Sequence, residues 1–249
     1  LTTAVFFDGL LGEFVLDDVP LVRGFSCSRE PLEPLKGLFL VGSGDCAYRP
    51  LRYLTYALDR AVYGDNPVGY HVTNLLLHLA MTVLVFLFLR RLLRARREPA
   101  GPAPPGGGTG PHEPAGGWTA ELGALAGAAI FAVHPVQADS VTYIAGRRDI
   151  LHALLYLGCI LAWLRYRDGG RRAWAIAVVP LYYLALQAKE MAITLPVTLL
   201  LLAEALARLE AHGEETDGGW TRPFRAYLRP LRRHPWLFGA LFALGIAFF

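Results

Sequence analysis

Charge is what this chain of 249 residues has least of: 18% of them are Asp, Glu, Lys or Arg, against roughly a quarter in soluble domains. That shortfall excludes a freely wetted globule. Disorder is excluded too, because it requires low hydrophobicity, and 54% of these residues are hydrophobic. Cysteine is scarce as well. Cys27, Cys46 and Cys159 are too few for a disulfide scaffold, and nothing in the sequence requires the first two to pair. A net charge of +3 is too mild for a nucleic-acid binder. The mean hydropathy of +0.35 instead points to an integral membrane protein.

Six apolar runs carry that inference: Val68–Leu89, Leu122–Val133, Ile150–Leu164, Ala173–Ala188, Met191–Leu206 and Trp236–Phe249. A span needs about 20 mainly apolar residues, and several of these cores reach that length only with small or weakly polar neighbours. Leu122–Val133 is the weakest alone, with Trp118 as an interfacial anchor ahead of it. Charge clusters at the run ends, and the lack of an alternating polar face, argue against helices buried in a soluble protein. The chain opens at Leu1–Phe7 without a starting Met or the basic start of a signal peptide. Its last apolar run is still open at Phe249. A helix upstream and further spans downstream are expected.

Basic residues set the orientation. Arg90, Arg91, Arg94, Arg96 and Arg97 follow the first run; Arg165, Arg167, Arg171 and Arg172 fill the turn after the third. Arg208, Arg222, Arg225, Arg229, Arg232 and Arg233 lie between the fifth and sixth. The short alternate loops hold only Arg147, Arg148 and Lys189, and the remaining six basic residues lie in the long segment before Val68. By the positive-inside rule the arginine-rich side is cytoplasmic. Segments 1–67, 134–149 and 188–190 then face outward. In a bacterial cell this means the inner membrane with a periplasmic site.

Residues 98–117 are a Pro/Gly tract, expected to be a flexible cytoplasmic linker. Between Arg49 and Gly64, Leu51, Leu54, Leu58 and Val62 recur at helical spacing behind Pro50. This stretch is expected to be an amphipathic helix lying in the outer interface.

Polar groups next to spans are expensive and are therefore functional candidates. Asp17-Asp18 sits within the apolar FVLDDVPLV. If the chain is extended there, the two side chains point opposite ways, so that one can face a substrate while the other holds the loop. Helix caps and turns also favour Asp. His134–Asp149 (HPVQADSVTYIAGRRD) ends in the pair Arg147-Arg148, suited to bidentate anion binding, with interfacial anchoring as the alternative for one of them. Lys189-Glu190 occupies a tight turn, where Lys can hold a phosphate or simply be solvated. Tyr70, His71, Asn74 and His78 begin a span, and the last three share one helix face. That face is expected to pack inside the bundle through interhelical hydrogen bonds rather than to bind metal.

FVLDDVPLV, YRPL at Tyr48–Leu51, GYHVTNLLLH at Gly69–His78, HPVQADSV at His134–Val141, GRRD at Gly146–Asp149 and AKEMAITLP at Ala188–Pro196 occur in one order. This ordered set resembles the membrane domain of the TMTC-type (transmembrane and TPR repeat-containing) O-mannosyltransferases and their bacterial relatives. The family usually has His where Gln137 stands and Glu where Asp139 stands, so an acid is kept and an imidazole lost.

The resemblance implies an all-α polytopic membrane protein: a GT-C-like helix bundle whose long first outer loop, residues 1–67, carries short amphipathic helices and precedes about six spans in 68–249. It also implies TPR repeats further downstream. The implied activity is inverting transfer of a sugar, mannose in the family, from a polyprenyl-phosphate donor to a Ser or Thr hydroxyl of an acceptor protein. Asp17 or Asp18 would be the catalytic base, Arg147 and Lys189 would stabilise the leaving phosphate, and Glu190, His134, Asp139, Asp149 and Arg49 would complete the donor and substrate site. Lipid-linked donor, acceptor protein and membrane lipids are the implied partners; no metal or other cofactor is required. A transporter or a non-catalytic membrane scaffold is the alternative, but a transporter usually shows internal repeats or paired broken helices.

The orientation is testable. With the native cysteines replaced, a cysteine at Gly107 is expected to react with an impermeant maleimide only from the cytoplasm, and one at Ala138 only from outside. Labelling of both from one side would refute the assignment.

Overall fold

A computed structural model describes residues 2–24, 49–95, 117–210 and 229–248. Most of the proline-rich tract 98–117 lies outside them, as do Cys27 and Cys46. The described residues are helical, with no strand among them. Two short helices, α1 (Thr2–Val5) and α2 (Phe7–Leu10), lead into a loop and a single π-helical turn at Val19–Gly24. Then follow α3 (Pro50–Tyr63), α4 (Pro67–Ala95), α5 (Gly117–Val133), α6 (Ala138–Val141), α7 (Arg147–Gly169) and α8 (Arg172–Ala188). The last are α9 (Leu195–Glu210), α10 (Arg229–Arg233) and α11 (Pro235–Phe248).

The described residues of all six apolar runs are helical, Met191–Leu206 as a 3-10 segment (Glu190–Thr194) that leads into α9. Three stretches are long and apolar enough to cross a bilayer alone: Pro67–Arg94, Ile144–Gly169 and Glu190–Arg208. Trp118–Val133 reaches that length only together with Pro135–Val141, to which it is bent by 51°. Pro135 forces that break, since it cannot donate to the preceding turn. α8 and α11 are shorter, at 17 and 14 residues. Helices α4, α5, α8, α9 and α11 leave aliphatic side chains outward, among them Leu76, Val83, Leu122, Ile130, Ile176, Val197, Leu201 and Ile246. A water-soluble protein does not carry so continuous an apolar surface. This is an all-α membrane protein.

Side-chain pairs fix the helix directions. Late in α4, Arg91 meets Asp168 late in α7 at 2.7 Å, so these two run parallel. Arg90, also late in α4, meets Glu121 early in α5 at 2.8 Å, so that pair is antiparallel. α8 returns along α7 through Gly170, whose φ of +65° lets the chain turn in the left-handed region. The charged residues therefore sort to two ends. One end gathers Asp17-Asp18, α3, residues 134–149 and Lys189-Glu190. The other gathers, among the described residues, Arg90, Arg91, Arg94, Arg165, Arg167 and Arg233 with three exposed tryptophans, Trp118, Trp174 and Trp236, each at the start of its helix. Tryptophan at helix ends is the usual interfacial anchor, and the sorting matches the alternation of basic loops in the sequence.

Helix α3 differs from expectation in one respect. Its interior face is Arg52, Tyr53, Tyr56, Ala57 and Asp59, while Leu58 and Val62 point outward. The polar and aromatic side chains are inside and the aliphatic stripe outside. For a helix in a membrane interface this inversion is consistent, because acyl chains, not water, meet the leucines.

Two glycines provide a stability test. A Cβ on Gly146 would press into the Asp139 carbonyl and lie 2.9 Å from Ser140 Cα, whereas at Gly158 nothing lies within 4 Å. Gly146→Ala is expected to destabilise by about 1–3 kcal/mol, lowering the detergent-solubilised melting temperature. Gly158→Ala, within α7, should be neutral or stabilising by about 0.5–1 kcal/mol. Equal melting temperatures for the two variants would refute the close packing at 146.

Candidate functional site

The end bearing the acidic pair is built around the fully buried cation of Arg147. Arg147, the first residue of α7, has no exposed surface. Its Nη2 lies 2.6 Å from Asp59 Oδ2 and donates to the Tyr70 carbonyl at 2.9 Å. Its Nε donates to Asn74 Oδ1 at 2.7 Å, Nη1 lies 3.4 Å from Thr55 Oγ1, and the guanidinium covers the Tyr56 ring at 4.7 Å. Asp59 also accepts from Thr73 Oγ1 at 2.8 Å. Burial raises the pKa of Asp59, and Arg147 and Thr73 oppose the shift. Burial likewise pushes Tyr56 up to about 12, so its hydroxyl stays protonated and donates to the Ile144 carbonyl at 3.0 Å.

These contacts organise the connection between α5 and α7. Asn74 Nδ2 donates toward the carbonyls of Ser140, Val141 and Tyr143 at 3.2–3.4 Å. His78 meets the Ala132 carbonyl at 3.1 Å. As expected from their common face, Asn74 and His78 pack inward and serve the interhelical bonds. His71 and Tyr70 are buried with them.

The neighbouring carboxylates take opposite roles. Asp18 is fully buried; its Oδ1 accepts from the Ala145 N–H at 2.7 Å and its Oδ2 from the Val15 N–H at 3.2 Å. Desolvation raises its pKa, offset by those backbone N–H groups. Asp17 is exposed. Its carboxylate bonds to Tyr143, whose pKa rises, first through desolvation and then through the charges of Asp17 and Asp18. The two side chains diverge as expected, but by a turn rather than an extended strand: Leu16 has φ +46°, and the Asp18 N–H bonds back to the Val15 carbonyl at 2.9 Å.

A second cluster joins α3, α7 and the turn after α8. Lys189 pairs with Asp149, and Arg148 lies 3.4 Å from the same carboxylate. Arg49 holds Glu190 with Nη2 at 2.8 Å from both carboxylate oxygens and Nε at 3.2 Å. Arg49 does so from the left-handed region, φ +63°, at the N-cap of α3. A non-glycine residue there is strained and persists only where its surroundings hold it.

The candidate residues thus separate into groups. Arg49, Asp149, Lys189 and Glu190 come together, and Arg148 joins them. Arg147 stays apart, enclosed with Asp59. His134 is exposed, and its Nδ1 accepts from the Val136 N–H at 3.2 Å, capping the Pro135–Gln137 turn. Asp139 is exposed on α6, and its carbonyl backs Gly146. Neither belongs to the ion-pair cluster. Asp59 and Tyr143 were not singled out by the sequence. The signal for Asp59 was available, since positions 52, 56 and 59 share one helix face.

Comparison with known proteins bears on this arrangement. The chain is 34% identical over 205 residues to protein O-mannosyl-transferase Tmtc1 of Drosophila melanogaster, covering 78% of this chain and 21% of that protein. To human protein O-mannosyl-transferase TMTC2 it is 32% identical over 142 residues, 55% of this chain and 14% of the relative. To human TMTC4 it is 31% identical over 163 residues, 59% and 19% respectively. The chain is a relative of the TMTC-type protein O-mannosyl-transferases. It spans about a fifth, or less, of the length of these relatives. No family model and no solved structure matches it.

The buried pair supplies a direct test. Removing one partner of a buried ion pair costs about 3–5 kcal/mol, because the other charge stays buried and uncompensated. Arg147→Met and Asp59→Asn are each expected to collapse the yield of monodisperse protein, with the double variant milder than the summed effects. Strict additivity in a thermal-stability cycle would show that the two charges do not interact.

Proposed function

We propose that this chain carries the catalytic end of a glycosyltransferase that moves a sugar, mannose by relation to the proteins above, from a polyprenyl-phosphate donor to a protein Ser or Thr hydroxyl. The observation that carries the proposal is the exposed Asp17, held beside Tyr143 by its buried neighbour, at the same end as the Lys189–Arg148 cation pair.

In the proposed step the acceptor oxygen attacks the anomeric carbon from the face opposite the phosphate. The new C–O bond forms as the bond to the phosphate oxygen breaks, and the configuration inverts. Asp17 takes the hydroxyl proton as general base, and the electron pair leaves on the polyprenyl phosphate. Lys189 and Arg148 offset that charge. Both reach the surface while anchored on Asp149, so they are oriented before the donor arrives. Arg49 and Glu190 fix the Lys189 turn against α3. Arg147 has no surface with which to meet a phosphate, so its proposed role is to position the 144–149 segment. Asp18 is likewise a positioning residue. The face is proposed to be the extracytoplasmic one, from the arginine bias at the opposite end.

Transfer of labelled sugar from a polyprenyl-phosphate donor by the full-length protein in membranes tests these roles. Asp17→Asn is expected to lower the rate by about 10²–10⁴-fold with donor binding intact. Lys189→Ala should weaken donor binding as well as rate. Asp18→Asn should act first on folded yield, since an amide nitrogen would face a backbone N–H. Wild-type transfer by Asp17→Asn would refute its assignment as base.

A further inference from the structure

At the arginine end, far from the proposed transfer site, α4 and α7 enclose a cavity of about 300 Å³. Its floor is aliphatic, with Leu87 from α4 and Leu161 and Leu164 from α7, and its rim carries Arg90, Arg91, Arg94 and Arg165. Two carboxylates offset part of the charge of these four cations. Asp168 takes two bonds from Arg91, at 2.7 and 2.8 Å. Glu121 of α5 bonds Arg90 and Arg94. Arg165 has no carboxylate partner among these pairs; its guanidinium lies 5.9 Å from the Trp174 ring. Among the described residues the rim therefore keeps a surplus of two positive charges above an apolar floor.

We propose that this cavity binds the phosphate of an anionic phospholipid from the leaflet at the arginine end. Three features select that ligand. A cationic rim over an aliphatic floor matches a phosphate above acyl chains, whereas a soluble anion has nothing to place against Leu87 and Leu161. Trp174, 40% exposed at the start of α8, marks the headgroup level, and Arg165 stacks at that depth. Basic pockets between membrane helices are also the recurring sites for anionic headgroups. The Arg91–Asp168 and Arg90–Glu121 pairs hold the rim in place without the lipid, so the site is pre-formed. A bound lipid bridges α4 and α7 where the two helices run parallel with no short connection between them.

The full-length protein reconstituted in nanodiscs of phosphatidylcholine containing one-quarter phosphatidylglycerol tests this. Native mass spectrometry after release counts the lipids retained. The wild type is expected to retain phosphatidylglycerol over phosphatidylcholine. Arg165→Gln should reduce that retention about fivefold, the factor for one arginine near an anionic headgroup. Leu161→Trp, which fills the floor and leaves every charge in place, should reduce it as well. Arg171→Gln/Arg172→Gln, on the same face but outside the cavity, should retain the lipid within twofold of wild type. Addition of 10 mM inorganic phosphate should leave the lipid bound. Equal retention of the two lipids, or unchanged retention in both cavity variants, would overturn the proposal. So would an equal loss in the Arg171/Arg172 control, which would mean general surface attraction, or displacement by inorganic phosphate, which would mean a site for free anions.

Discussion

Enclosure of the Arg147 guanidinium is the constraint on which the rest of this end depends. A charge with no exposed surface is tolerated only when ion pairing and hydrogen bonds replace its water. Three segments meet that demand: α3 with Thr55, Tyr56 and Asp59, α4 with Tyr70 and Asn74, and the start of α7 itself. None of these partners satisfies the cation alone. Burying it therefore specifies the position of α3 against α4 and α7 together. The same side chains then serve the backbone of the 134–149 connection. Asn74 takes its carbonyls, Tyr56 takes that of Ile144, and Asp18 takes the Ala145 N–H. A buried non-helical connection needs such partners, since water does not reach its peptide groups.

The inverted amphipathicity of α3 follows from that demand. Asp59 must face inward to meet Arg147, and helix geometry carries Arg52 and Tyr56 with it. Leu58 and Val62 are thereby turned outward. In water, exposing that stripe while burying two charged residues would oppose folding. At a bilayer interface the stripe finds acyl chains, and the polar face finds the bundle. The surroundings thus make a helix viable whose partition would be backward in a soluble protein.

Much of this was legible in the sequence. Apolar runs located the six long helices because length and hydropathy are local properties. The arginine alternation paired the correct ends, because every loop at one end shares an interface. The inward face of Asn74 and His78 followed from their spacing. The partners of single charges were not legible. Arg147 and Arg148 are chemically alike and adjacent, and only the tertiary position of α3, which brings Asp59 beside one of them, separates an enclosed cation from a surface cation. The shortness of the Leu122–Val133 run was visible. Its continuation past Pro135 into a segment bent by 51° was not, because that segment is held by Asn74 of another helix rather than by its own composition.

In three adjacent pairs of charged residues at this end the neighbours have different fates: Asp17 and Asp18, Arg147 and Arg148, Lys189 and Glu190. In a helix, consecutive side chains project about 100° apart, and the turn at Leu16 separates the aspartates to similar effect. Neighbours therefore cannot share one pocket. In the first two pairs the enclosed member fixes the backbone, and through it the direction in which the exposed member projects. In the third, Lys189 is drawn to Asp149 on α7 and Glu190 to Arg49 ahead of α3, so a single turn ties two elements to α8. Paired charges of this kind let a surface group inherit the precision of a buried one without being desolvated itself. Asp17 is placed by Asp18 and Arg148 by Arg147, each held to within one residue of a fully bonded neighbour while keeping the hydration that the proposed base and phosphate ligand require.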